Sequence, residues 1–387
     1  MTNVGSAGSS RASRGLIPSA KGVRQASGHG GCRRYLRADL HDRKPHCGAT
    51  RHSPDPGTIR SWLADPSANT TPDRPDTKIA ETKHGGLIDG HDHAYSSGRG
   101  YDFAGLVRVA GDQDRWPHVL IMGEADRYEL SGGEGMWEAA AAMRAAGGRP
   151  YVPLACELPW EGLYAPVIFA DPQAVVIRRF YYHRLPDHGS RNSNLLVASL
   201  PGRPTEQIFR VVTGHGALSG GDARLADAMS LRRLADPRIP ALVAMDWNCV
   251  PSGPGWEDRE LNDAALWGNP GQEWARAHRL LWRHGPAQAG PFQPDTRALD
   301  YLTGWWNPEA SNRTGGIGFY DVAELAGDCT PTQVPVPDGR QRRAIDKILV
   351  NAAWKDAIVP GSYQVHQPAD PDRPDSDHLR VSVAIRP

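Results

Sequence analysis

Residues 241–248 read Ala-Leu-Val-Ala-Met-Asp-Trp-Asn. An apolar run ends in a carboxylate, Asp246, and an amide, Asn248, follows two positions later. The run is short and aliphatic, with Pro240 before it and Pro251 after it, which is the signature of a buried strand. In an extended chain, residues i and i+2 leave by the same face, so Asp246 and Asn248 are expected side by side. A carboxylate beside an amide at a strand end suits a hydrated divalent cation and a phosphate oxygen. The same triplet is also a common turn.

Comparable runs recur at 118–122, 151–155, 165–170, 174–178, 194–199, 208–213, 345–350 and 379–385. Each is Val-, Ile- or Leu-rich and reads as a strand. Pro153 makes 151–155 an edge strand or a weak one. The gaps between 165–170 and 174–178, and between 194–199 and 208–213, are too short for a crossover helix. Both pairs are therefore expected as antiparallel neighbours, in mixed sheets. Helices are expected over 135–146 and over 222–235, the latter capped by Asp222 with Leu225, Ala228 and Met229 on one face. A third is expected over 270–284, with Asn269 as cap, Pro270 in the first turn and Gly285-Pro286 as terminator. Residues 251–344, with Trp305-Trp306 near the middle, are too long for a plain loop and should carry helices and surface loops at one rim. Strands with interspersed helices point to an α/β or α+β body.

Composition sets the outer bounds. The chain has 387 residues, 44 Lys+Arg against 44 Asp+Glu, 42 glycines and 33 prolines. No apolar stretch approaches the ~18 residues a membrane-spanning helix needs. Five scattered cysteines (32, 47, 156, 249, 329) do not form a disulfide framework. Residues 1–80 hold 13 Lys/Arg and 6 Asp, so a basic arm precedes an acidic body. The arm is poor in aliphatic residues, cannot bury enough apolar surface to order itself, and reads as disordered. Its Cys32, His41, His46, Cys47 and His52 match no zinc-finger spacing. The body is assigned to 81–387. P-loop, dinucleotide-binding and His-Glu-x-x-His patterns are missing from the sequence.

Other candidate groups also lie at strand ends. Glu124 ends the run 118–122 and could hold a hard cation such as Mg²⁺. His215 follows 208–213 and could contact a phosphoryl oxygen or carry a proton. Asp346 enters an apolar strand, where a carboxylate is costly unless hydrogen-bonded, and a His would both satisfy it and be oriented by it. Asp377-His378 precedes the last strand, and both side chains can serve one site only if Ser376-Asp377-His378 turns.

The order Glu124, Thr213-Gly-His215, Met-Asp246-Trp-Asn248, Ile-Asp346-Lys-Ile and Ser376-Asp377-His378 resembles the endonuclease/exonuclease/phosphatase family of metal-dependent phosphoesterases, from about residue 80 to 387. The sequence departs from that pattern at several points. Gly123 stands for Gln, Met245 for Gly, Ala344 for Arg and Lys347 for Tyr, one residue is inserted between Thr213 and His215, and Glu81 falls where the first motif has Asn.

The resemblance implies an α+β fold: a four-layer α/β/β/α sandwich of two mixed β-sheets with flanking helices and the site at one end between the sheets. It implies Mg²⁺ (or Mn²⁺) held by Glu124, with Asp377 or Glu81. His378, oriented by Asp346, is the base or an electrostatic clamp. Asp246 positions the water, and Asn248 and His215 contact phosphoryl oxygens. The implied reaction is water attack at phosphorus. The expected partner is a phosphorylated substrate (nucleic acid, phosphorylated metabolite or lipid headgroup), and the chain is expected to be cytoplasmic and monomeric. A catalytically inactive phosphoesterase-like binding protein is a second reading. A third, a metal-dependent amidohydrolase, rests on Gly86-Leu-Ile-Asp-Gly-His91-Asp-His93, and the antiparallel strand pairs disagree with the barrel it needs.

Overall fold

In a computed structural model, residues 103–111, 116–123, 125, 128, 133–155, 166–181, 193–256, 278–281, 293–334, 343–370 and 374–386 are described with their side chains, and 77–83 and 130–132 as backbone. The chain divides at Thr70/Thr71, and every described strand and helix belongs to the second unit. That unit begins no later than Thr77, where β1 (Thr77–Lys83) starts, so the body reaches back past the 80/81 boundary expected from the sequence. The rest of the expected arm, His91 and His93 lie outside the described residues.

Fourteen strands are described. After β1 come β2 (Val119–Gly123), β3 (Val152–Leu154), β4 (Val167–Ala170), β5 (Val176–Tyr181), β6 (Ser193–Ser199), β7 (Ile208–His215) and β8 (Ala241–Asp246). Then follow β9 (Trp305–Asn307), β10 (Asn312–Thr314), β11 (Phe319–Asp321), β12 (Asp346–Asn351), β13 (Gln364–His366) and β14 (Arg380–Ile385). The described helices are α1 (Phe103–Ala110), α2 (Leu130–Ala145), α3 (Gly221–Ser230), α4 (Arg297–Thr303) and α5 (Val322–Leu325).

Two six-stranded sheets form, ordered β13-β14-β1-β2-β4-β3 and β11-β12-β8-β7-β6-β5. Each is mixed, with one parallel pair at its centre: β1 with β2, and β7 with β8. Their other pairings are antiparallel. The strict two-residue period of strand side chains sorts the layers. Val119, Ile121 and Val381 of the first sheet share a core with Phe209, Val211, Leu242, Ala244, Ile348 and Val350 of the second. Leu120, Met122 and Phe169 instead pack on Leu106, Ala139 and Met143 of α1 and α2. Val212, Val243, Met245, Trp247 and Leu349 pack on Ala228, Leu299 and Leu302 of α3 and α4. The result is the expected α/β/β/α sandwich. β3 is an edge strand, as Pro153 requires. No helix among the described residues is long and apolar enough to cross a membrane.

Four expectations are corrected. β4 and β5 are not neighbours but lie in different sheets. Between them Asp171 makes the chain cross over: its carboxylate takes Arg149 Nη1 at 2.7 Å and Gln173 N at 2.9 Å, and its amide donates to His118 O at 2.9 Å. Asp222 does not cap its helix. Gly220 occupies that place, and Asp222 pairs with Arg297 at 2.8 Å. That helix turns to a 3₁₀ segment at Arg232–Ala235, and Met229 is exposed where the expected face had it buried. Most of 270–284 lies outside the described residues, but 278–281 is not helical. Leu280 bridges Pro294, and Leu281 N donates to Gln293 O, which diverts the backbone into strand-like pairing. The fourth correction, at Asn248, belongs to the site. The stretch 251–344 does carry short elements: α4, which packs on the second sheet, the β9–β10 hairpin with Trp305 exposed, β11 at that sheet's edge, and α5.

Candidate functional site

The alternation that builds the core also builds the site. Phe209 and Val211 face between the sheets, and the same parity carries to His215 at the end of β7. Leu242 and Ala244 lead likewise to Asp246, and Val350 and Ile348 lead back to Asp346. In register, His215 stands beside Asp246 on the parallel side and Asp346 opposite Asp246 on the antiparallel side. All three are buried. His378, just ahead of β14, reaches across from the other sheet, and its Nδ1 lies 2.7 Å from Asp346 Oδ2.

Asp246, Asp346 and His378 offer ligand atoms that all lie within 4.8 Å of one another. Two carboxylates opposed on neighbouring strands repel, and burying them raises the cost. His378 offsets one of them. His215 Nε2 stands 3.6 Å from Asp246 Oδ2. The two carboxylates supply the oxygen donors a hard divalent cation takes, while His378 Nδ1 is already engaged by Asp346.

Asn248 reaches the site by a route other than strand alternation. β8 ends at Asp246, and Asn248 takes a left-handed backbone conformation with φ 50°. Asn is among the residues that tolerate this conformation. The turn is closed by Asn248 N donating to Asp246 Oδ1 at 2.7 Å. Its side-chain amide donates to Gly216 O at 3.0 Å and lies 3.4 Å from His215 Nδ1. His215 Nδ1 is itself 3.0 Å from Gly216 O, so it is the protonated nitrogen and donates there. Gly216 O thus gathers both side chains, and Gly216 N donates to Asp246 O at 2.7 Å.

Ser376-Asp377-His378 does turn. His378 N donates to Ser376 Oγ at 3.1 Å, His378 is buried and Asp377 is exposed. Asp377 is outside the three-residue group, and its carbonyl takes Val334 N at 2.9 Å. The side chains of Glu124 and Glu81 are not among those described. Their places in the topology are informative. Glu124 follows Gly123, the last residue of β2, which pairs with Lys83 at the end of β1. Glu81 pairs with Val381 near the start of β14. These ends lie at the edge from which His378 projects.

Two groups escaped the sequence reading. Thr332 is fully buried, and its hydroxyl makes a close contact with Asp346 Oδ2. Lys347, next to Asp346 but on the opposite face of β12, is also buried. Its Nζ lies 3.0 Å from Asp321 Oδ2 and 3.3 Å from the centre of the Trp256 ring. Burial pushes its ammonium pKa below the usual lysine value, against the opposing pull of Asp321. No local pattern marks Thr332. Lys347 was visible only as a departure from the family pattern.

No protein-family model and no curated protein matches the chain. Solved structures do. One is the 3′ phosphatase NExo from Neisseria bound to a product DNA hairpin, at 14% identity over 80% of this chain and 99% of that one, TM-score 0.47. Another is an endonuclease/exonuclease/phosphatase family protein from Bacteroides thetaiotaomicron, at 12% identity over 80% and 97%, TM-score 0.45. A third is D. rerio TDP2 complexed with a single-strand DNA product, at 16% identity over 80% and 99%, TM-score 0.45. The chain is similar to these proteins, and no residue role transfers from them at such identity.

Proposed function

We propose that this chain is a divalent-metal-dependent phosphoester hydrolase in which water attacks phosphorus. The observation that carries the reading is the inter-sheet pair His378–Asp346, closed at 2.7 Å and set against Asp246 within 4.8 Å. An acid-oriented imidazole beside a second buried carboxylate is equipment for handling a proton at an anionic centre. Asp346 takes the Nδ1–H of His378, so Nε2 is the nitrogen that meets the substrate as base, or as a cationic clamp once protonated. Asp246 orients the attacking water. Asn248 contributes its second amide N–H toward a phosphoryl oxygen, and His215, whose Nδ1–H is held by Gly216 O, contributes another only when Nε2 is protonated as well; preorganised donors of this kind stabilise developing charge.

Glu124, with Asp377 or Glu81, would hold Mg²⁺ or Mn²⁺ at the same edge. When bound, the cation supplies Lewis-acid polarisation of the phosphoryl group. The substrate class is a phosphorylated one, drawn from nucleic acid, metabolites or lipid headgroups.

The test is hydrolysis of bis-p-nitrophenyl phosphate by the full chain. EDTA should abolish it, Mg²⁺ or Mn²⁺ should restore it, and His378→Ala should lose it with the metal present. Turnover that survives chelation would reject the mechanism. A complete lack of turnover on phosphomonoester, phosphodiester and nucleic-acid substrates would favour a binding protein.

A further inference from the structure

We propose that Thr332 is a positioning residue: its hydroxyl fixes the Asp346 carboxylate and thereby holds His378 in its Nδ1–H tautomer, aimed at the site. The roles given to Asp346 and His378 rest on the function proposed above. The geometry does not.

A hydroxyl has one proton and two acceptor sites. At Thr332 both acceptor sites are used, by Ile345 N at 3.1 Å and Asp346 N at 3.0 Å. The proton must then go to an acceptor. Two are within reach: Asp346 Oδ2, in close contact, and Arg343 O at 3.4 Å. The closer, charged oxygen is the stronger partner. Asp346 Oδ2 therefore receives one O–H, and the same oxygen receives His378 Nδ1. An ionised carboxylate is acceptor-only, so with the hydroxyl proton directed at Oδ2 the ring nitrogen facing the same oxygen carries the hydrogen.

The main chain of the same segment holds the other half of the pair. Thr332 O accepts Leu379 N at 2.6 Å, Gln333 bridges His378, and Val334 N donates to Asp377 O at 2.9 Å. Residues 332–334 thus form a strap between the start of β12 and the approach to β14. Its side chain sets one partner and its backbone the other. Thr332 is fully buried, as such a splice between two sheets requires.

The experiment compares Thr332→Val, which keeps the shape and removes the hydroxyl, with Thr332→Ser, which keeps the hydroxyl. Each full-length protein is labelled with ¹⁵N-histidine, and the His378 signals are assigned by difference against His378→Gln. Wild type and Thr332→Ser should show the Nδ1–H tautomer of His378. Thr332→Val should lose that signature, and its kcat on bis-p-nitrophenyl phosphate should fall by ~10²-fold, the scale of an ~1 Å misplacement, with KM within about twofold.

A folded Thr332→Val that keeps the wild-type tautomer and kcat overturns the proposal. If Thr332→Val does not fold, the wild-type spectrum decides, because an Nε2–H tautomer there overturns the proposal by itself. If wild type hydrolyses nothing, the functional reading fails, and the tautomer comparison still tests Thr332.

Discussion

Gly216→Ala is expected to disable the site while leaving the fold standing. A Cβ built on Gly216 would lie 2.4 Å from Trp247 O and 2.6 Å from Trp247 C, both backbone atoms. Carbon and carbonyl oxygen ordinarily rest near ~3.3 Å, so the turn after β7 must move from the turn after β8 by about 0.9 Å. Backbone on both sides cannot swing away as a side-chain tip could. The displaced group is the hub that receives Asn248 Nδ2 and His215 Nδ1 and donates to Asp246 O. Misplacement of ~1 Å at reacting groups costs ~10²-fold in rate. Overpacking of this kind costs ~1–3 kcal/mol, and each kcal/mol lowers the melting temperature by about 2–4 °C for domains of 150–250 residues. Gly216→Ala should therefore melt several degrees lower yet cooperatively, and turn over ~10²-fold more slowly at saturating metal. A variant with wild-type melting and wild-type kcat would show that the close approach of the two turns does not hold the site. A variant that melts low but turns over normally would show that Gly216 serves the fold alone.

Three further outcomes concern two groups outside the reacting set. Lys347→Met should cost ~3–5 kcal/mol in denaturant unfolding by stranding buried Asp321, and Lys347→Met/Asp321→Asn should recover most of it. Because burial lowers the Lys347 pKa from 10.5, the unfolded chain binds more protons than the native one between the lowered value and 10.5. Stability should therefore rise with pH across that window, and the double variant should flatten the rise. Cys249 is buried with its thiol pushed up to about 12 by desolvation, so iodoacetamide at pH 8 should leave it unmodified in the native protein and label it only on unfolding, as peptide mass mapping will show.

The strands were legible because those buried on both faces read as unbroken apolar runs, and 241–245 is such a run, buried along its whole length. The site was partly legible for a related reason: a polar residue at the end of an apolar run has few structural excuses, and His215, Asp246 and Asp346 all stand at such ends. Sheet membership was hidden. The short gap between β4 and β5 suggested a hairpin, but Asp171 is tied back to Arg149 and His118 while β5 pairs with β6 in the other sheet, contacts distant in sequence that the gap length does not report. The approach of Asn248 was misjudged because strand alternation was extended two residues past the point where Asp246 ends it and closes a turn. Thr332 carried no signal, since its hydroxyl acquires a role only when β12 and the approach to β14 come together.

The pairing pattern of the two sheets explains why the scattered groups meet. Counted inward from β14 and from β12, each sheet runs antiparallel, then parallel, then antiparallel: β14-β1-β2-β4 in one and β12-β8-β7-β6 in the other. In that correspondence β1 matches β8, β2 matches β7, and β14 matches β12. The carboxyl ends of both parallel pairs and the amino ends of their antiparallel neighbours therefore fall on one edge of each sheet. The His378–Asp346 bond joins the β14 start to the β12 start, so those two edges are one edge of the sandwich. His215 and Asp246 occupy the ends of β7 and β8; on the matching strands Glu124 follows Gly123, the end of β2, and Glu81 stands two residues before Lys83, the end of β1. The chain order that looked like a list of unrelated strand endings is thus a single rim read twice, once in each sheet. The bond that closes the rim crosses between sheets, so its length depends on how the sheets pack as well as on the two residues that form it.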